Sequence, residues 1–428
     1  MPRKWAVIPL LMGVIFITHG QAIQVAGIKL PVFRMLLGVG LMRIIFRGEG
    51  IAGGLNAIDK LMLGLGGWLM FASFFHEPGA DAAGPTFIIG KVAEISLCYF
   101  LIRSFCHDLD DFASIMGVIA VMLVPIALEM IQEKFTEVNL FSKLFGGVRE
   151  AVVVREGELR ARGPFRHAIL AGTVGATLVP IMIGMWRRNP GTAKIGLIAC
   201  ITMVASCASS GPILSLIFGL MGVFMWNYRH MMGMVRWAML ICPLILHMIM
   251  EKPVWFLIGR LSMGGSTGWH RSKLIDSSIN YFSEWWAFGT DHTRHWMPTG
   301  VTFSEEHTDI TNYYLAYGVM GGILAVIILL AMAWKGFKWV GETIETIPEE
   351  CDDNGDRFMV WCMGSSLFAH VATSISVAYY DQSVFFYWFA IATISSVYMT
   401  RHERVPALQE EDQDHPGRDP ASKMQWSS

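Results

Sequence analysis

Apolar residues in this 428-residue chain do not recur at the period of a helix face or a strand face; they gather in blocks. Each block is roughly 16–22 residues long, enough to cross about 30 Å of hydrocarbon at 1.5 Å per residue. About twelve blocks are read, with ends uncertain by a few residues. They lie near 5–22, 30–46, 57–75, 85–105, 113–131, 167–186, 194–209, 211–227, 236–250, 313–334, 357–378 and 384–400. The pattern predicts an all-α polytopic membrane bundle over 1–400. The pair of blocks meeting at Ser209–Gly211 also suits a re-entrant hairpin. A polar segment, 401–428, reads as a disordered tail.

The positions of Lys and Arg orient the blocks. With the N-terminus in the cytoplasm, Arg3, Lys4, Arg43, Arg47, Arg103, Arg187, Arg188, Arg229, Arg236, Lys335, Lys338, Arg401 and Arg404 fall inside. Both termini are then cytoplasmic, and two long segments, 132–166 and 251–312, face outward. The first breaks the charge bias with Lys134, Lys143, Arg149, Arg155, Arg160, Arg162 and Arg166, which points to a task for exported cations.

Composition agrees with a membrane solvent. Hydrophobic residues make up 53% and charged residues 16%, against about 25% charged in soluble domains. The net charge of −2 gives no reason to expect nucleic acid as a partner. The start, Met1-Pro-Arg-Lys4 and an apolar run, lacks a small-x-small cleavage pattern and reads as an uncleaved first helix. Seven cysteines are scattered through apolar blocks and inner loops, so a disulfide framework is not expected. Charges inside the blocks, Arg34, Lys91 and Glu94 among them, need partners. Lys91 and Glu94, three apart, are expected to pair.

Three stretches carry candidate chemistry. From Gly268 to Trp286, Ile275, Ile279, Phe282 and Trp286 recur at helical spacing, an amphipathic helix suited to the membrane interface. Arg271 and Lys273 sit in its first turn, for substrate or for lipid phosphate. Near the tenth block, His307, Asp309, Thr311 and Asn312 gather where the chain re-enters the bilayer. His307 or Asp309 suits a base that takes a proton from a hydroxyl; Thr308 or Asp309 also suits a helix cap. At the mouth of the sixth block stand Arg160, Arg162 and Arg166. A guanidinium fork fits phosphate oxygens and keeps its charge, and headgroup anchoring would use the same residues. His292 and His295, three apart, are a weak metal pair without a third fixed ligand.

Taken in order, these stretches resemble the O-antigen ligase and O-antigen polymerase superfamily of bacterial membrane glycosyltransferases. The matching motifs are Arg160-Ala-Arg-Gly-Pro-Phe165, the turn Ser209-Ser210-Gly211-Pro212, Trp269-His270-Arg271 opening the large loop, and Asn312-Tyr-Tyr-Leu315 followed by Gly318 and Gly321. The turn lacks the arginine usual after its serine. Thr311 stands where the family's histidine adjoins the asparagine, with His307 one helical turn earlier. The resemblance implies a GT-C-like helical bundle of the inner membrane with a large periplasmic loop between spans nine and ten. It implies transfer of a glycan from an undecaprenyl-diphosphate carrier to an acceptor sugar hydroxyl of a glycan or glycolipid. Arg160, Arg162 and Arg271 would hold the diphosphate, His307 or Asp309 would serve as base, and Asn312 and Lys273 would contact substrate. No metal or cofactor is then demanded.

Overall fold

A computed structural model describes residues 1–18, 21–25, 28–77, 84–155, 157–261 and 265–414. The fold is mostly helical. Its helices are α1 (Val7–Phe16), α2 (Val32–Arg47), α3 (Ala57–Ala72), α4 (Pro85–Phe105), α5 (Leu109–Thr136), α6 (Leu140–Phe145), α7 (Ala168–Gly184), α8 (Pro190–Ser206), α9 (Ser210–Phe224) and α10 (Met232–Ile249). Then come α11 (Leu257–Leu261), α12 (Gly265–Asn280), α13 (Phe282–Trp285), α14 (Tyr313–Glu345), α15 (Asp356–Thr373) and α16 (Gln382–Asp414). Two antiparallel hairpins complete it: β1 (Ala22–Val25) with β2 (Ile28–Pro31), and β3 (Val153–Arg155) with β4 (Glu158–Arg160). Residues 415–428, half of the segment expected to be disordered, lie outside the described residues, and 401–414 continue α16.

Local chemistry sets the helix starts. Asn56 and Asp59 form a reciprocal capping box at α3. Asp108 caps α5, Asn189 with Pro190 opens α8, and Asn312 caps α14 by accepting from the Leu315 N–H. Six apolar stretches among the described residues are long enough to cross a membrane: Ala57–Phe75, Pro85–Phe105, Leu109–Thr136, Ser210–Ile249, Tyr313–Glu345 and Gln382–His402. That is the architecture of a helical membrane protein. Each of the other expected blocks coincides with a shorter helix, among them α1 at 10 residues and α7 and α8 at 17.

The helix ends sort into two sets. At one, here called proximal, Arg3 meets Asp111 at 2.7 Å, and Arg188 meets both Asp110 and Asp356 at 2.6 Å. Arg401 reaches Asp356 at 3.1 Å. At the other, distal end, the Ala161 N–H donates to the Ser206 carbonyl at 3.1 Å, and Tyr313 N–H to Ser374 at 2.8 Å. Gln382 donates to the Pro164 carbonyl at 2.9 Å there. Segments 132–166 and 251–312 both belong to the distal end.

Two expectations change. Glu94 does not pair along its own helix with Lys91; it accepts from Arg34 Nε on α2 at 3.2 Å. A three-residue offset only made Lys91 available, whereas packing α2 on α4 brings a guanidinium to the carboxylate. The tenth block is longer than expected and interrupted. Gly321 and Gly322 leave helical geometry (φ −156°, ψ 22° and φ 68°, ψ −170°), splitting α14. The loop backbone fills the break: Thr290 N–H donates to Val319 O at 3.0 Å, and Ile323 N–H to Trp286 O at 2.9 Å. Gly322 must be glycine, since a side chain there would strike the Ala287 carbonyl.

Two apolar clusters meet along α14. Helices pack around one large cluster, which includes Tyr313, Tyr317 and Met320. The distal loop has a second, made of Leu274, Trp285, Trp296, Met297, Leu315 and Val319, so the outer part of α14 packs on both the bundle and the loop.

Candidate functional site at the distal end

The site is assembled from four pieces of chain. Hairpin β3–β4 pairs Val153 with Arg160 and Arg155 with Glu158. Cross-strand partners share a face, so Arg155 and Arg160 project on one side. Arg160 is 5% exposed, and its Nε donates to the Cys207 carbonyl at 3.4 Å, placing it over the turn between α8 and α9.

Helix α12 supplies Arg271. The expected amphipathic helix is split: α12 ends at Asn280 with Ile275 half-buried and Ile279 exposed, and the exposed Phe282 and Trp286 belong to the short α13 and its end. The buried face holds His270, Arg271, Ser272, Leu274, Ser277 and Ser278. An apolar exposed face beside a polar buried one suits a helix lying against lipid. Arg271, 7% exposed, stands over the Ser209–Pro212 turn, where a β-carbon at Gly211 would lie 3.7 Å from its Nη2. Lys273, on the same helix, is tied to Asp276 at 2.7 Å.

Asp309 arrives from the segment leading into α14. Its carbonyl is bonded to His270 Nε2 at 2.9 Å, and its N–H donates to Val301 O at 2.8 Å. Burial raises its carboxyl above the ordinary range, against His270 and Arg271, which lower it. Burial likewise pulls the Arg271 guanidinium down, Arg155 and Arg160 push the same way, and Asp309 opposes them. Arg155, Arg160, Arg271 and Asp309 thus share one field.

The remaining expected residues do other work. Arg162 donates through Nη2 to the carbonyls of Arg149 (2.6 Å) and Ala151 (2.7 Å), and its Nε lies 4.0 Å from Glu133. Glu133 also accepts from the N–H groups of Arg162 and Gly163, both at 2.9 Å. These bonds fasten the 132–166 loop to the end of α5. His307 is 2% exposed, with Nδ1 at 3.1 Å from the Thr293 hydroxyl and its carbonyl accepting from Phe303 and Ser304 N–H. It pins a hairpin bridged at Thr302 and Thr308. Asn312 is the α14 cap, and its side chain holds Leu315 N–H. Asp291, His292 and His295 go separately to His76 (2.7 Å), Glu306 (2.7 Å) and Glu284 (2.9 Å).

The sequence places Arg155 only among the loop cations and His270 only within a motif, with no role in the site for either. The signal for Arg155 was present in the alternation Val153-Val-Arg155 and Glu158-Leu-Arg160 around Gly157, which sets both arginines on one face of a hairpin. His270 had no comparable signal, because its partner is a backbone carbonyl 39 residues away.

Chemically, guanidinium groups gathered beside Asp309 suit an anion with several oxygens, and a buried carboxyl of raised pKa suits proton abstraction. No protein-family model matches the chain, and no curated protein is significantly similar to it.

Proposed function

We propose that the chain is a membrane glycosyltransferase whose helices span a bacterial inner membrane about twelve times, with both termini in the cytoplasm and the distal end in the periplasm. It transfers a glycan from an undecaprenyl-diphosphate carrier to a sugar hydroxyl of an acceptor glycan or glycolipid in surface polysaccharide assembly. The observation that carries this reading is the convergence of Arg155, Arg160 and Arg271 with Asp309 beside the Ser209–Pro212 turn.

The chemistry follows from that grouping. Acceptor attack breaks the bond between the anomeric carbon and the diphosphate oxygen, so negative charge grows on the leaving group. Guanidinium groups fixed there stabilise that charge without reorganising. Asp309 takes the acceptor's proton. His307, bonded to Thr293 and buried in the loop, is assigned to holding the hairpin rather than to the reacting atoms.

The test is glycan transfer by the purified full chain in lipid nanodiscs, with lipid-linked donor and acceptor. Arg271→Ala and Asp309→Asn are expected to abolish product, roughly 100-fold or more, while each variant accumulates like the parent. Full output from both would end the enzyme reading. Export of substrate without transfer would place the chain among transporters.

A further inference from the structure

Helix α10 touches almost nothing. None of its 18 residues is buried, although it is continuous with α9, which packs on α7 and α15. A straight helix over Ser210–Ile249 would be ~60 Å long, yet both of its ends return to the distal loop. Arg271 of α12 lies beside Gly211 at the start of α9. Near the far end of α10, Val254 N–H donates to His247 Nδ1 at 3.3 Å, and the Trp255 indole donates to Asp276 of α12 at 3.4 Å. The chain therefore reverses, at the 3-10 turn Met225–Met231, where Tyr228 departs from helical geometry (φ −112°, ψ 18°).

The result is a V with its point at the proximal end and its mouth under α12. The inner face of α9 is buried through Gly211, Pro212, Ser215 and Gly219. Its opposite face exposes Ile213, Ile217, Leu220, Met221 and Phe224 at helical spacing. The arm formed by α10 exposes Trp237, Leu240, Leu244 and Met248. Both arms are apolar, and the mouth is where Arg271 stands over Gly211.

We propose that the crevice between α9 and α10 holds the isoprenoid tail of the lipid whose diphosphate the distal arginines engage. The inference deepens the function proposed above and rests on it. An apolar slot and a cationic mouth at its open end match one amphiphile, anionic at the head and apolar behind. No residue of α10 is buried against α9, so a tail lying between the arms would reach the bilayer directly, and the donor would enter sideways without leaving the membrane.

The experiment places a photoreactive p-benzoylphenylalanine in the full chain at Ile217 or Leu240, with Ile198 on α8, 66% exposed, as a lipid-facing control. Nanodiscs carry radiolabelled polyprenyl diphosphate, and retention of label by purified protein is measured separately without illumination. Ile217 and Leu240 are expected to capture about tenfold more label than Ile198. Unlabelled polyprenyl diphosphate should compete, polyprenyl alcohol should not, and Arg271→Ala should abolish the excess. Should either site misfold on substitution, Leu220 and Leu244 replace them. Equal capture at Ile198, with label still retained in an Arg271-dependent way, overturns the crevice and spares the head-group site. Capture of a second copy of the chain overturns it as well, making α10 a subunit contact. If no Arg271-dependent retention occurs, the underlying functional reading fails first.

Discussion

The two ends of the bundle set arginine in different company. At the proximal end guanidinium groups meet carboxylates: Arg3 with Asp111, Arg188 with Asp110 and Asp356, Arg43 with Glu49, and Arg103 with Asp59. At the distal end Arg162 lies beside Glu133 in the same manner, but Arg271 is buried, and burial first, then Arg155 and Arg160, draw its pKa down against Asp309. Matched charges are architecture. Like charges gathered under burial cost stability, and under the function proposed above a bound diphosphate would offset that cost.

The sharpest way to break this contrast is to cut one arginine from each end. Arg103 and Asp59 are wholly buried, and Arg103 also donates to the Ala52 carbonyl at 2.8 Å and Ser396 at 3.0 Å. Arg103→Ala strands a buried carboxylate and is expected to cost about 3–5 kcal/mol, read as lost accumulation or a collapsed thermal midpoint in detergent. Arg271→Ala should lower the midpoint far less, because burial and the neighbouring Arg155 and Arg160 already oppose its charge. A comparable drop from both variants would erase the distinction.

A smaller effect divides the distal arginines from one another. Arg162 serves carbonyls and Glu133, so Arg162→Ala should destabilise by about 1.5–3 kcal/mol. Transfer per folded molecule should persist. A variant with normal melting and no transfer would instead move Arg162 into the diphosphate site.

Asp309 sharpens the contrast by pH. Its carboxyl titrates above the usual range because it is buried, and it works as a base only when ionised. Transfer should therefore fall as pH drops through a midpoint above ~3.9, and His307→Ala should keep that acid limb. A limb that vanishes with His307→Ala would return the base to histidine. Least of all should Lys338→Ala matter. That residue forms an exposed i, i+4 pair with Glu342 at 3.2 Å, and about 0.3–0.5 kcal/mol is at stake.

The helices were legible because hydrocarbon thickness imposes block length, and their ends were marked by caps such as Asn56 and Asp108. Pairing between helices was not. Arg34 and Glu94 are 60 residues apart, and only packing joins them. Between the blocks ending near 227 and starting near 236 the sequence predicts an inner loop carrying Arg229 and Arg236, with no sign of its form. The chain makes it a helical turn, and that decision sets α10 apart. In the site, residue type was informative and role was not. Arg160 and Arg162 read alike in the sequence; β4 ends at Arg160, and the carbonyls that take up Arg162 belong to another segment of the loop.

The glycine pair in α14 has a mechanical consequence. Trp68 donates its indole N–H to Gly321 O at 2.6 Å and stacks on Phe288, whose carbonyl meets His76. One rod in two pieces, clamped at the joint, lets each piece take its own axis, the outer one held by the loop through Leu315 and Val319 and by the bundle through Tyr313 and Tyr317. A tilt of the inner piece would then be absorbed at the joint rather than passed straight to Asn312 and the segment that carries Asp309.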